Sequence, residues 1–346
     1  MKTLGFRGLL FSAVALLGGC AGLQPSTGAP GSLPQSGNAT KTMPHYVQQP
    51  VHTAHGSSWM LPQKKNSVLI YAAGSDDVYV YDYSDGKLVG TLTGIGADGG
   101  CVDAKGDIYM AEFSNGEVVE FAHGGKTPIN TYSPGGEPIG CSVDSKGDLA
   151  VSSFSPGEAI VFAGGNPKEG ATYSGACTYQ WTMGYDRSGN LIGVGETSSG
   201  GRAYCALLSG ATSISSLSFS GTIDFPGGTM WDGKYIALGD QEAGGSFNTG
   251  IYPATLTGST LSPVGSEITF TDTCDNDYTD IVDPFIVGKK NTPVNKQQGK
   301  VVVGTNSWCT GSGSAGIEFW HYPKGGNPFK TYSKDSGTVL AVSIGT

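Results

Sequence analysis

The densest group of potential ligands in the chain is the run Asp272-Thr273-Cys274-Asp275-Asn276-Asp277-Tyr278-Thr279-Asp280, closed by Asp283. Carboxylate and amide oxygens crowded into one loop suit calcium, which takes about six to eight oxygen ligands in flexible geometry. An EF-hand is excluded. Counting from Asp275 puts Asp280 where the sharp turn needs glycine and Ile286 where a bidentate glutamate belongs. Asp275, Asp277 and Asp280 are therefore the candidate metal ligands, with calcium the one cofactor the residues suggest. Histidine, the usual acid–base group near neutral pH, is scarce: His45, His52 and His55 fall in a Pro/Gly/Ser-rich stretch and read as solvated linker residues, and His123 and His321 fall in turns and read as surface residues. No catalytic residue is assigned. Gly94-Ile95-Gly96-Ala97-Asp98-Gly99 satisfies Gly-x-Gly-x-x-Gly, but a strand follows it where a dinucleotide site needs a helix N-terminus. The chain has no Gly-x-Ser-x-Gly, no His-Glu-x-x-His and no phosphate-binding Gly-Lys-Ser/Thr motif.

The first 19 residues carry Lys2 and Arg7, then the apolar run Leu9 to Leu17, then Leu17-Gly18-Gly19-Cys20. That reads as an export signal too short for a stable membrane span. It resembles a bacterial lipoprotein leader, with Cys20 in the place of the lipidated residue. The resemblance implies a mature chain that begins at Cys20 and is held on a membrane by acyl chains, with no transmembrane helix downstream. Losing Lys2 and Arg7 leaves 18 basic against 29 acidic residues, a net of −11, which argues against a nucleic-acid partner. Only 14% of residues are charged and 56 are glycine, a composition of short strands and tight turns. Residues 20–62, rich in Pro, Gly, Ser, Gln and Thr, read as a lipidated cysteine and flexible tether, and 63–346 as the folded domain.

The elements that position any site follow from a repeat. Val102-Asp103-Ala104-Lys105-Gly106-Asp107-Ile108-Tyr109 returns as Val143-Asp144-Ser145-Lys146-Gly147-Asp148-Leu149 and, more loosely, as Gly184-Tyr185-Asp186-Arg187-Ser188-Gly189-Asn190-Leu191. From Asp103 to Asp144 is 41 residues and from Asp144 to Asp186 is 42, a spacing that in an all-strand chain means propeller blades. In each unit an inner strand ends in Asp, an Asp-x-x-Gly turn follows, and a second and third strand run out and back. Those aspartates are expected to be turn makers, bonding the backbone ahead of them, with Gly106, Gly147 and Gly189 at positive φ. Thr131-Tyr132, Thr172-Tyr173 and Thr331-Tyr332 mark outer strands, and Tyr81, Phe121, Phe162 and Phe319 are expected to pack between blades.

The run from Val143 to Leu149, followed by Ala159-Ile160-Val161-Phe162, resembles the repeat of NHL-type propellers and of the related gluconolactonase-like and streptogramin-lyase-like families. The expected fold class is an all-β, six-bladed β-propeller. Its inner strands lie near Gly99, Ile139, Trp181, Gly228, Asp280 and Val339, the last of them completing the first blade and closing the ring. Enzymes of the gluconolactonase-like kind hold a divalent ion in the central channel with Glu, Asn and Asp. This chain has Gly100, Gly140, Thr182, Gly228 and Val282 on the corresponding stretches, so that ligand set is not visible.

The register also pairs cysteines. Apart from Cys20 there are six, none with Cys-x-x-Cys spacing. Cys177 and Cys274 fall in loops leading into inner strands, while Cys205 and Cys309 follow second strands. Cys177–Cys205 and Cys274–Cys309 are the expected disulfides. Cys101 and Cys141 start neighbouring inner strands one residue out of register, and are either a third pair or two buried thiols.

Loops leading into inner strands share one face, here called upper, with loops between second and third strands. On it the chain places Asp98, Glu112, Tyr179, Trp181, Glu196, Asp240 and Trp308. An acidic rim with aromatic platforms suits a cationic peptide, a metal or a sugar. The functional expectation is a monomeric, lipid-anchored, non-enzymatic binding or scaffold module of a bacterial cell envelope, on the periplasmic or outer surface, whose partner is an envelope protein, peptide or carbohydrate. The alternatives are a metal-dependent hydrolase or lyase of the gluconolactonase or streptogramin-lyase type and a purely structural envelope protein.

Overall fold

In the computed structural model, which describes residues 56–62, 67–74, 76–245, 248–271, 285–287, 300–305, 316–333 and 339–345, the Asp-x-x-Gly segments form the tight turns their chemistry dictates. Asp103 Oδ1 accepts the amides of Lys105 (2.8 Å) and Asp107 (2.9 Å). Asp144 Oδ1 does the same for Lys146 and Asp148, and Asp186 Oδ1 for Ser188 and Asn190. Gly106 and Gly147, both at φ 86°, take the left-handed conformation that costs other residues most. The last polar residue of each tag braces the next turn: Asp107 accepts the His123 amide, Asp148 that of Gly164 and Asn190 that of Ser209.

Each of these turns joins the innermost strand of an antiparallel meander to its second strand, and among the described residues such meanders follow one another along the chain, the fourth and fifth lying in one nine-stranded sheet. The second is Gly99–Val102, Ile108–Glu112, Glu117–Phe121 and Pro128–Tyr132. The third is Pro138–Val143, Leu149–Ser153, Glu158–Phe162 and Gly170–Ser174. The fourth is Tyr179–Tyr185, Leu191–Glu196, Arg202–Leu207 and Ser215–Phe219. The fifth begins Pro226–Trp231, Ile236–Asp240 and Thr249–Thr257, then splits its outer side between Thr260–Pro263 and Ile268–Phe270. The sixth is Phe285–Val287, Lys300–Thr305, Gly316–Tyr322 and Lys330–Ser333. The first takes Leu69–Gly74, Asp77–Asp82 and Leu88–Thr93 from the start of the domain and its innermost strand, Val339–Gly345, from the C-terminus, with Ile70 opposite Ile344.

Six apolar clusters each join two successive meanders. Ile70 and Tyr81 meet Val301 and Phe319 of the sixth, and Tyr109 and Val118 meet Leu149 and Phe162 of the third. Each sheet thus buries its flank against the next, the packing logic of repeated sheets, and the architecture is a β-propeller. The aromatic tags sit as expected: Tyr132 packs edge-on against Phe162 (5.1 Å) and donates to the Gly165 carbonyl, and Tyr83 meets Phe319 edge-on at 5.5 Å.

Near the axis, hydroxyls stitch one meander to the next: Tyr185 N–H donates to Ser142 Oγ and Thr229 N–H to Thr182 Oγ1 between innermost strands, and Met183 N–H donates to Ser152 Oγ of the neighbouring second strand. A Cβ at Gly140 would run into Thr182. At Gly140 the inner strands approach too closely for a larger side chain.

Two disulfides are formed. Cys177–Cys205 spans the fourth meander with Cα atoms 6.2 Å apart. Cys101–Cys141 joins two neighbouring innermost strands with Cα atoms 5.4 Å apart, so the offset of one residue does not prevent the bond. Cys274–Cys309 lies outside the described residues, as do Cys20 and the three N-terminal histidines. Within the stretch read as tether, Trp59–Met60 pairs with Thr91 and Gly90 as an extra edge strand on the first meander. The outer strands of the fourth and fifth meanders pair in parallel, Ser218 opposite Thr260, so these two sheets are continuous. Among the described residues no helix is long and apolar enough to cross a membrane.

Candidate functional site

The upper face is assembled by backbone bonds between the two kinds of loop. Asp98 N–H donates to the Ala111 carbonyl (3.0 Å), Phe154 N–H to that of Glu137 (2.8 Å), and Gly157 N–H to that of Thr178 (2.8 Å). Asp98, Glu112, Tyr179, Trp181, Glu196 and Asp240 therefore do share one face, but at different depths. Tyr179 is half-buried, whereas Trp181 is 2% exposed, Glu112 3% and Asp240 fully buried. The last three are foundations of the face, not its contact surface. Trp308 and the candidate metal ligands Asp275, Asp277 and Asp280 lie outside the described residues.

Aromatic rings dominate the geometry. Phe113, Phe154 and Phe225, all half-buried, pack around Trp181 and Ile139. Phe154 stacks on Tyr179 (5.3 Å, 24° between planes) and lies 6.3 Å from Phe113. Trp181 is wedged edge-on between Phe154 (5.9 Å) and Phe225 (5.4 Å). The result is an arc of rings across the second to fifth meanders. Its buried indole Nε1 has no hydrogen-bond partner among the described residues, a costly state for a donor away from water.

Carboxyl groups flank the arc, and burial raises their proton affinity. Asp98 is pushed up to about 7 by burial, against the pull of the Phe113 amide that it accepts. Glu137 is raised by burial alone. Glu196 is also raised by burial, although Arg202 opposes the shift through an ion pair. The Arg202 guanidinium also donates to the Asp224 carbonyl and lies 5.3 Å over the Phe225 ring. Farther out, burial and the nearby Asp240 and Asp224 lift Glu267 to about 8. Asp240 accepts the amides of Asp224, Phe225 and Glu242 and hydrogen-bonds Glu267. The face therefore combines flat apolar rings, carboxyls whose proton affinity burial raises and one tied guanidinium, groups whose chemistry suits the recognition of a ligand.

Phe113, Phe154 and Phe225 are absent from the sequence-derived site. The first two had a signal: Phe113-Ser114-Asn115-Gly116-Glu117 and Phe154-Ser155-Pro156-Gly157-Glu158 repeat with the same 41-residue offset as the turn aspartates. Phe225 and Arg202 have no such marker. The two domain histidines are half-buried, not surface groups: His123 Nε2 lies 2.9 Å from the Ser67 carbonyl, and His321 stacks on Phe329 at 4.3 Å.

No family model matches the chain, and no curated protein matches it. Solved structures do. A chain from the crystal structure of a nidogen/laminin complex superposes with a TM-score of 0.55 at 12% identity, over 81% of this chain and 99% of that one. A protein of unknown function from Bacteroides caccae gives 0.53 at 12% identity, over 80% and 98%. At this identity the likeness is one of fold, and it agrees with the β-propeller topology.

Proposed function

We propose that this chain is a six-bladed, non-enzymatic binding module that engages a partner protein through its upper face and is held at a bacterial envelope membrane by acyl chains on Cys20. The observation that carries the reading is the arc Phe113–Phe154–Tyr179–Phe225, half-exposed rings contributed by four successive meanders and bordered by carboxyls. Large rigid rings at the centre of a polar rim are the usual anchors of a protein interface. A similar fold taking part in a nidogen/laminin complex supports the use of such a ring for protein contact. The close-packed glycines of the innermost strands support a binding role over metal chemistry in the channel.

The test is site-specific crosslinking of the full-length chain in its native membrane. A photoreactive residue in place of Phe154 is expected to give discrete protein adducts, and one in place of Lys146 on the opposite face to give none. Adducts from Lys146 alone, or from neither position, overturn the reading. Cys20→Ser is expected to move the chain from the membrane to the soluble fraction, and its retention in the membrane would remove the anchor from the proposal.

A further inference from the structure

We propose that the occupant of the aromatic arc is an extended peptide segment bearing lysine or arginine, inserted between Asp98, Glu137 and the rings of Phe154 and Tyr179. The proposal rests on the reading of the upper face as the binding surface and adds the chemical class of the partner.

Charge is the first argument. Among the described residues, Arg202 is the one basic side chain on the upper face, and it is tied to Glu196 and the Asp224 carbonyl. The other described lysines and arginines, such as Lys105, Lys146, Arg187 and Lys234, sit in or beside the turns of the opposite face. The upper face thus presents the Asp98 and Glu137 carboxyls beside a single tied guanidinium, and a cation docked there favours their charged form. The rings are the second argument. Phe154 and Tyr179 form a stacked, half-exposed pair, and an ammonium or guanidinium group is drawn to such a π-face.

The third argument selects a peptide over a simple amine. The half-buried rings of Phe113, Phe154, Tyr179 and Phe225 come from four successive meanders, with centroid steps of 6.3 Å from Phe113 to Phe154 and 5.3 Å from Phe154 to Tyr179. An extended backbone, which rises about 3.3 Å per residue, spans such an arc where a single amine covers one ring.

The experiment is calorimetric titration of the full chain with a short Gly-Lys repeat peptide and with the same peptide carrying acetylated lysines, at low ionic strength and at physiological salt. The lysine peptide is expected to bind and the acetylated one to bind at least about 10-fold more weakly. Phe154→Ala and Tyr179→Leu, which alter no charge, are each expected to weaken binding about 5-fold, with circular dichroism confirming that the sheets are intact. Asp98→Asn with Glu137→Gln is expected to weaken it about 10-fold, and Lys146→Glu on the far face to leave it unchanged. Equal binding of the acetylated peptide overturns the cationic assignment. Charge-dependent binding indifferent to both ring substitutions shows diffuse attraction and overturns the groove. Absence of binding overturns the ligand class, while adducts from position 154 in the membrane would leave the binding-face reading standing.

Discussion

Asp98 on one face of the ring and the turn aspartates on the other do opposite work. On the lower face Asp103, Asp144 and Asp186 each accept two backbone amides at 2.7 to 2.9 Å. Their charge is spent on closing a turn. On the upper face Asp98 accepts the Phe113 amide and is driven up to about 7 by burial, so its surroundings oppose its charge. Asp240, on the same upper face, accepts three amides, so the contrast lies between Asp98 and the turn aspartates. The same holds for aromatics: Tyr132 is buried and donates to Glu120 and Gly165, while Trp181 is buried and donates to nothing.

The contrast can be attacked at several strengths. Converting both Cys177 and Cys205 to Ser removes the tie behind the loop that carries Tyr179, and should cost about 2–4 kcal/mol. Urea unfolding measures it, and a loss under about 1 kcal/mol would mean that the upper loop is held by its rings alone. Asp144→Ala on the lower face leaves two amides without their acceptor and should cost about 1–3 kcal/mol. A cost no greater than that of a surface substitution would erase the distinction between the faces.

Asp98→Asn should be smaller and opposite in sign at neutral pH. A carboxyl whose folded pKa lies near 7, above its unfolded value, binds more protons in the folded state between about pH 4 and 7. Its contribution to stability is complete below the unfolded pKa and is lost as pH rises through 7. The wild-type chain should therefore lose stability across that window and the Asn variant should lose less, measured as the urea midpoint at successive pH values. Parallel pH profiles would place Asp98 among the satisfied groups. Lys105→Ala, a solvent-exposed ammonium 3.9 Å from Asp103, should change stability by less than about 0.5 kcal/mol, and a larger loss would show that the turn relies on the ion pair and not on its amide bonds.

The architecture was readable because its chemistry is local and recurs. An aspartate that bonds two amides ahead of it, with a glycine three residues on, recurs wherever the turn occurs, so Asp103, Asp144 and Asp186 announced the period. Which face a loop joins follows from the same arithmetic, and among the described residues Asp98 and Tyr179 lie in or beside the loops that this arithmetic assigns to the upper face. Depth was not readable. That Asp240 is fully buried while Tyr179 is half-exposed depends on how Phe225 and Glu267 close over the fifth meander, which no spacing encodes. The parallel pairing of Ser215–Phe219 with Thr260–Pro263 was equally hidden, because two short polar outer strands carry no mark of their partner.

The pairing of Leu69–Gly74 with Val339–Gly345 couples two strands at opposite ends of the folded stretch. The loop-closure entropy of so distant a contact is met only when the intervening meanders are in place, so the ring is expected to melt as one unit and not sheet by sheet.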